Sequence, residues 1–211
     1  MINSSIDTAA ALKYFKQADG VMHQLLTNAF KSNRSLRIPT PKKPDEHFTS
    51  LMNAIIGQQI STKAAASVRK NVTNFLGRLT PENVQNADFD ELKACGLSNQ
   101  KTKYLKHNAE VWHEIPYGNF VHLENEAIIT ELIKLYGIGR WTAEMFLIFS
   151  LARADVFSYG DLGLMKSLLQ QYNYKPHYVR KIRTTVERWS PHQTLASLAL
   201  WHALDNEPAP Q

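Results

Sequence analysis

The sequence predicts an all-α fold, and three observations carry the prediction. Apolar residues recur at spacings of three and four along most of the 211 residues. Residues that cap helices, such as Ser61, Thr80, Asp88 and Ser98, stand just before those runs. Strict apolar–polar alternation, the mark of a half-buried strand, is missing apart from an ambiguous stretch at 119–123.

The elements follow in order. Thr8 to Phe30 places Leu12, Phe15, Met22, Leu25 and Leu26 on one helical face, with a break at Gly20. Residues 35–44, three prolines among basic residues, read as a linker. From Asp45 a helix carries Phe48, Leu51, Met52, Ile55 and Ile56 on one side, and Gly57 closes it. Ser61 caps the next, whose apolar face is Ala64, Ala65, Val68, Val72 and Phe75. Thr80 before Pro81 opens another, because proline at the first helical position forgoes an N–H that has no partner there. Asp88 or Asp90 opens a short helix ending at Cys95-Gly96, and Ser98 caps one running to about Ile115. Further helices are expected at 125–135, 140–151, 161–171, 176–188 and 191–204. Two lobes are expected, one over 45–155 and one made of 1–44 with 156–211, with a cleft between them.

Composition limits the function. A net charge of +5 and a pI near 9.2 fit a nucleic-acid partner without requiring one. A single cysteine, Cys95, excludes an internal disulfide, a cysteine-based zinc site and a four-cysteine iron–sulfur cluster, and favours a reducing compartment. The first residues lack the basic start and apolar core of a signal peptide. No apolar run reaches the roughly 18 residues of a membrane span, so no membrane partner is expected. The histidines are scattered without a metal-binding pair. Asp155 reads as a helix-end residue and Glu144 as a helix-surface acid.

The chemistry concentrates in Leu132–Phe149 and the residues just after it. An apolar helix with Ile128, Leu132 and Leu135 runs into Tyr136-Gly137-Ile138-Gly139, and a second apolar helix with Trp141, Met145, Phe146 and Phe149 follows at once. Gly137 and Gly139 permit φ > 0 and remove the Cβ atoms that would block a ligand. The first amides of the following helix lack intrahelical acceptors and, with the helix dipole, form an anion site. An ordinary helix–helix turn with a C-cap glycine is the alternative for a bare Gly-x-Gly. Arg140, Thr142 and Ala143 in step extend the pattern beyond that. Asp161 stands alone in a Gly-Asp-Leu-Gly turn a few residues on.

Other segments have two readings. Ala54 to Ser61 is a tight helical corner with Gln58, Gln59, Ile60 and Ser61 at its tip. It is either a solvated corner or a probe that fills the gap left by an extruded base, where an amide mimics a base edge. Cys95-Gly96-Leu97-Ser98 with Lys101 is either a C-cap followed by an N-cap or a degenerate second hairpin in which Ser98 and Lys101 touch a phosphate. Trp141 and Trp201 either pack in a core or form a stacking wall for a base, with Met145, Phe157 and Tyr159 completing a pocket.

The turn resembles the helix-hairpin-helix element that grips DNA phosphates without reading bases. More broadly, the chain resembles the helix-hairpin-helix/Gly-Pro-Asp superfamily of DNA glycosylases, on its 3-methyladenine DNA glycosylase II (alkylated-base) branch. The matching features span about residues 48–202: Ile55-Ile56-Gly57-Gln58-Gln59-Ile60-Ser61, Gly96-Leu97-Ser98-x-x-Lys101, Gly137-Ile138-Gly139-Arg140-Trp141-Thr142-Ala143, Asp155-Val156-Phe157 with Gly160-Asp161-Leu162-Gly163-Leu164, and Trp201. The resemblance implies a two-lobed helical bundle and double-stranded DNA with damaged bases as the partner. It also implies Asp161 as the catalytic carboxylate and DNA contacts at Gln58, Gln59, Ile60, Ser61, Ser98, Lys101, Gly137, Gly139, Arg140 and Thr142. No cofactor is required, though the carbonyls of Ile133, Leu135 and Ile138 are implied to hold a Na+ or K+ ion. Relatives that also cut the backbone place a Schiff-base lysine where this chain has Trp141, so hydrolysis without strand cleavage is implied. The chain departs from the family at Ser158-Tyr159-Gly160, which lacks the proline of many relatives. It departs again at Trp189-Ser190-Pro191-His192-Gln193-Thr194, where relatives often have Trp-x-Pro-aromatic-Arg-Ser.

A base alkylated at a ring nitrogen is already cationic and leaves readily, so one carboxylate suffices where ordinary glycosidases need two. The expected activity is therefore flipping and hydrolytic release of 3-methyladenine- and 7-methylguanine-type bases by a monomer, in the cytoplasm at the nucleoid of a bacterium or in a eukaryotic nucleus. The competing readings are a glycosylase for uracil, hypoxanthine or a mismatched base, a non-catalytic hairpin clamp, and a helical protein-interaction domain.

Overall fold

The computed structural model describes residues 6–32 and 36–205. Among them it contains twelve α-helices, three 3-10 turns and no strand. By backbone contacts the chain divides into two compact units, residues 42–146 and residues 1–41 with 147–211.

The first unit to close along the chain is 42–146. A 3-10 turn, Pro44–Glu46, stands where the sequence suggests that the helix already begins at Asp45, and the Glu46 carboxylate accepts the Lys43 N–H (2.9 Å). Helix α3 (His47–Gly57) buries Phe48, Leu51, Met52, Ile55 and Ile56, the face its spacing predicts. It packs on α4 (Thr62–Leu76), capped by Ser61, and on α7 (Asn99–Val111), capped by Ser98. The α4 face is narrower than its pattern suggests: Ala65 and Val72 are buried, whereas Ala64 and Phe75 are exposed. Short helices α5 (Pro81–Asn86) and α6 (Phe89–Ala94) begin at the caps Thr80 and Asp88. Helix α7 stops at Val111, and a 3-10 turn, Trp112–Glu114, seats Trp112 against Phe48 (ring centroids 5.3 Å). The ambiguous stretch at 119–123 falls largely in a 3-10 turn, Tyr117–His122. Helix α8 (Asn125–Leu132) ends three residues before Leu135, which stays buried in the turn that follows.

Two lysines of α7 close other helices of this unit. Lys101 Nζ donates to the carbonyls of Ile56 (2.8 Å) and Gln58 (2.7 Å) at the end of α3. Lys106 Nζ donates to Val84, Gln85 and Ala87 at the end of α5. The last carbonyls of a helix lack intrahelical donors and carry the negative end of its dipole, so an ammonium satisfies both needs.

In the other unit, α1 (Thr8–Ala18) and α2 (Gly20–Lys31) are separated by Asp19. Its carboxylate accepts the Met22 N–H (3.0 Å) as the N-cap of α2, so the break lies one residue before Gly20. Phe15, Met22 and Leu26 pack with Leu164 and Leu168 of α10 (Leu162–Gln171) and with Leu195 of α12 (Gln193–Asp205). Trp189 is fully buried and donates its indole N–H to Asp19 (2.9 Å), joining two segments 170 residues apart. Helix α11 (Val179–Glu187) starts later than its pattern suggests, because residues 175–178 form a turn closed by Tyr178 N–H to the Lys175 carbonyl (2.9 Å). Helix α9 (Arg140–Phe149), which follows the Gly-x-Gly turn directly, begins within residues 42–146 and ends in this unit.

Candidate functional site

The hairpin turn is held from three sides. Ile138 is buried as its anchor, and its N–H donates to the Leu135 carbonyl (3.2 Å). Asn108, fully buried on α7, accepts the Tyr136 N–H (2.8 Å) and donates to the Tyr136 carbonyl (2.9 Å). Gln58 donates its side-chain amide to the Gly137 carbonyl (2.8 Å). Of the two glycines, Gly137 takes a positive φ of 78°, and a Cβ there would lie 2.6 Å from the Tyr104 ring. Gly139 does not take positive φ. A Cβ there would meet nothing within 4 Å, so its value is open space above the main chain. The Gly139 carbonyl accepts the Ala143 N–H (3.0 Å), the first rung of the α9 ladder, so the amides of residues 140–142 form the first turn of the helix. The geometry is that of an anion cradle at a helix N-terminus.

Several residues expected at DNA have other partners. Arg140 is gripped by Glu126, on which it makes a two-pronged contact, and by Glu144 (2.9 Å). Two carboxylates balance its charge locally, and Glu144 is a buried ion-pair partner rather than a surface acid. The Glu126 carboxyl is held below the usual carboxylate range by that guanidinium. The Lys101 ammonium is spent on the end of α3, and its burial there lowers its pKa. Ser98 Oγ accepts the Lys101 N–H (3.2 Å) as an N-cap, as Ser61 does for Ala64 (3.2 Å). The Gln58 amide braces the hairpin, so the projecting tip is Gln59, at φ 57°, and Ile60, 40% exposed. Thr142 is buried.

The expected cation ligands are the carbonyls of Ile133, Leu135 and Ile138. Their neighbours at Tyr136 and Gly137 already accept side-chain amides. Three neutral carbonyls with no carboxylate suit a monovalent rather than a divalent cation. Among the described residues no cluster of His, Cys, Asp or Glu could hold a metal.

Asp161 is the N-cap of α10. Its Oδ1 accepts the Leu164 N–H (2.8 Å) and the Trp201 indole N–H (3.1 Å). The carboxylate is thus half-buried at the positive end of a helix, with its orientation fixed from two directions. A Cβ on Gly163 would lie 3.2 Å from that oxygen, 3.4 Å from Leu204 and 3.6 Å from Trp201, so glycine there leaves the indole room to reach it. Phe149 packs on Trp201 (5.7 Å). Trp141, Met145 and Phe149 share one face of α9 at intervals of four, with Trp141 47% and Phe149 44% exposed. Tyr159 is also exposed and rests edge-on against Phe157 (5.0 Å). Phe157 itself is buried against Trp189 (5.7 Å), so it backs Tyr159 rather than facing solvent. Burial raises the Tyr159 pKa, and Glu187 adds to the shift. Asp155, read as a helix-end residue, accepts from Ser190 (2.6 Å) and from the Gln193 N–H (3.2 Å) where α12 begins.

Phe149 and the braces at Asn108, Glu126 and Glu144 carry no role in the motif reading. Phe149 could have been found as the next step of the Trp141–Met145 stripe, and Asn108 as an amide in a helix interior, where such a side chain costs propensity without a partner.

Comparison with known proteins agrees with this geometry. The model of the HhH-GPD superfamily base excision DNA repair proteins matches residues 52–192. DNA-3-methyladenine glycosylase 1 of Schizosaccharomyces pombe is 35% identical over 188 residues, 83% of this chain and 78% of that protein. The crystal structure of a DNA-3-methyladenine glycosidase from Bacillus halodurans superposes with a TM-score of 0.81 at 30% identity, covering 93% of this chain and 89% of that one. The S. pombe 3-methyladenine DNA glycosylase in complex with abasic DNA gives 0.71 at 30% identity, covering 91% and 95%. A cradle of main-chain amides, a capped carboxylate and these matches agree: the chain belongs to the HhH-GPD superfamily of base excision DNA repair proteins, on its 3-methyladenine DNA glycosylase branch.

Proposed function

We propose that the protein is a monofunctional DNA glycosylase that flips alkylated bases out of duplex DNA and releases them by hydrolysis. The observation that carries this is the Asp161 carboxylate, oriented by the Leu164 amide and the Trp201 indole at the start of α10. As the N-glycosidic bond lengthens, positive charge grows on the sugar. A fixed carboxylate stabilises that charge and directs the attacking water. Bases such as 3-methyladenine and 7-methylguanine carry the positive charge while bonded to the sugar, take the electron pair of the breaking bond and leave as neutral molecules, so they need no second acid.

Phe149 and Trp201, packed ring against ring, supply faces for the flipped base, and a cationic base gains about 0.5–2 kcal/mol from each such contact. The amides that open α9 hold the phosphate chain, and a monovalent cation on the Ile133, Leu135 and Ile138 carbonyls would add positive charge beside it. Gln59 and Ile60 fill the space vacated in the duplex. Trp141 has no amine to form an imine with the sugar, so no strand cleavage accompanies release. The protein acts as a monomer, at the nucleoid of a bacterium or in the nucleus of a eukaryote.

Asp161→Asn tests the reading without confounding the fold, because asparagine caps helices as well as aspartate does. Binding to duplex with a methylated base is expected to persist while release of 7-methylguanine falls by at least a hundredfold, on the order of 3 kcal/mol in the barrier. Unchanged release would remove Asp161 from the mechanism.

A further inference from the structure

Charge is distributed unevenly between the two units. Residues 42–146 hold twelve lysines and arginines against twelve aspartates and glutamates, so the net charge of +5 belongs entirely to residues 1–41 with 147–211. Within the latter, residues 174–188 contribute Lys175, Arg180, Lys181, Arg183 and Arg188 against one acid, Glu187. Helix α11 turns Ile182, Thr185 and Val186 inward, which leaves Arg180, Lys181, Arg183 and, just past its end, Arg188 exposed. Arg180, Lys181, Thr184 and Arg188, with Tyr174 and Tyr178, line an open depression of about 760 Å3 that has no carboxylate in its wall. Lys181 lies 4.5 Å from the centre of the Tyr174 ring, and the ion pairs among the described residues involve none of these cations.

The hairpin holds phosphate through main-chain amides, and the one arginine on it is neutralised by two acids. Amide contacts contribute little to salt dependence, which counts the lysines and arginines that displace condensed counterions. We propose that the α11 face is a second, purely electrostatic duplex-binding surface. Through Arg180, Lys181 and Arg188 it holds the phosphates of undamaged DNA, reads no sequence, and supplies most of the salt-dependent affinity. The inference rests on the repair reading only for its choice of duplex DNA as the polyanion.

The test is the salt slope of binding to an undamaged 30-base-pair duplex. For the triple variant R180Q/K181Q/R188Q, log K against log salt should flatten by about 2–3 units, since each neutralised phosphate contributes about 0.9. The single variant R180Q, the check against a folding defect, should flatten it by about 0.9. A triple variant of exposed cations in the other unit, K70Q/R78Q/K93Q, should leave the slope unchanged. An unchanged slope in the α11 variants overturns the proposal, as does an equal loss in both triples, which would reflect net charge alone. Binding of a polyglutamate peptide that depends on α11 while the duplex slope stays fixed would assign the face to a protein partner and also overturn it. Release of 7-methylguanine by the unaltered protein is measured in parallel: its absence would defeat the repair reading and leave the slope result standing.

Discussion

At the scale of single residues, Trp201 is more than a ring. Its indole N–H, with the Leu164 amide, helps to aim the Asp161 carboxylate. Phenylalanine keeps an aromatic face but not the donor. A hydrogen bond to a charged group is worth about 1.5–3 kcal/mol, and here part of that loss appears as misorientation. Trp201→Phe should slow single-turnover release of 7-methylguanine about tenfold, a barrier change of about 1.4 kcal/mol. A rate equal to that of the unaltered protein would show that the indole only stacks. The sequence displays the motifs in which Asp161, Trp201 and Gly137 stand, and the turn at Gly137 is legible from its spacing. It does not display the internal partners of Lys101, Gln58 and Arg140. All three are polar groups beside a DNA-binding motif, yet their partners are carbonyls and carboxylates brought near only by folding.

At the scale of elements, helix starts that carry a side-chain cap are readable, whereas uncapped starts such as those of α3 and α11, and helix ends, are less so. Ser61, Thr80, Asp88, Ser98 and Asp161 all cap through side chains that bond main-chain amides within three residues, a local interaction the sequence displays directly. Ends depend on distant groups. Helix α3 finishes under Lys101 and α5 under Lys106, both on α7 and both tens of residues away. Lys101→Met keeps the aliphatic stem and strips the ammonium from two carbonyls. Equilibrium unfolding in urea should show a loss of about 1–3 kcal/mol, whereas Lys103→Met, exposed on the same helix, should lie within about 0.5 kcal/mol of the unaltered protein.

At the scale of the whole molecule, two histidines couple stability to pH. His47 is buried between the rings of Phe120 and Phe146. Burial lowers its pKa from the ordinary 6.5, against opposing contributions from the Lys42 main chain and Glu46. His192, beside Tyr14 and Phe15, is lowered by burial as well. In both cases the unfolded chain takes up protons first as pH falls, so the unfolded state gains. Their contribution is fully present above pH 6.5 and is lost as pH drops below it toward the folded values. The urea midpoint should therefore be lower at pH 5.5 than at pH 7.5, and His47→Leu should reduce that difference. A midpoint independent of pH across this range would contradict the assignment. The order of the chain has a further consequence. Residues 42–146 interrupt the unit in which Asp19 meets Trp189. During synthesis at about 5–20 residues per second, the apolar sides of α1 and α2 emerge on the order of ten seconds before the helices that cover them. The nascent α1–α2 segment is thus a waiting hydrophobic surface, and a ribosome stalled within the inserted segment would leave it exposed to chaperones and proteases.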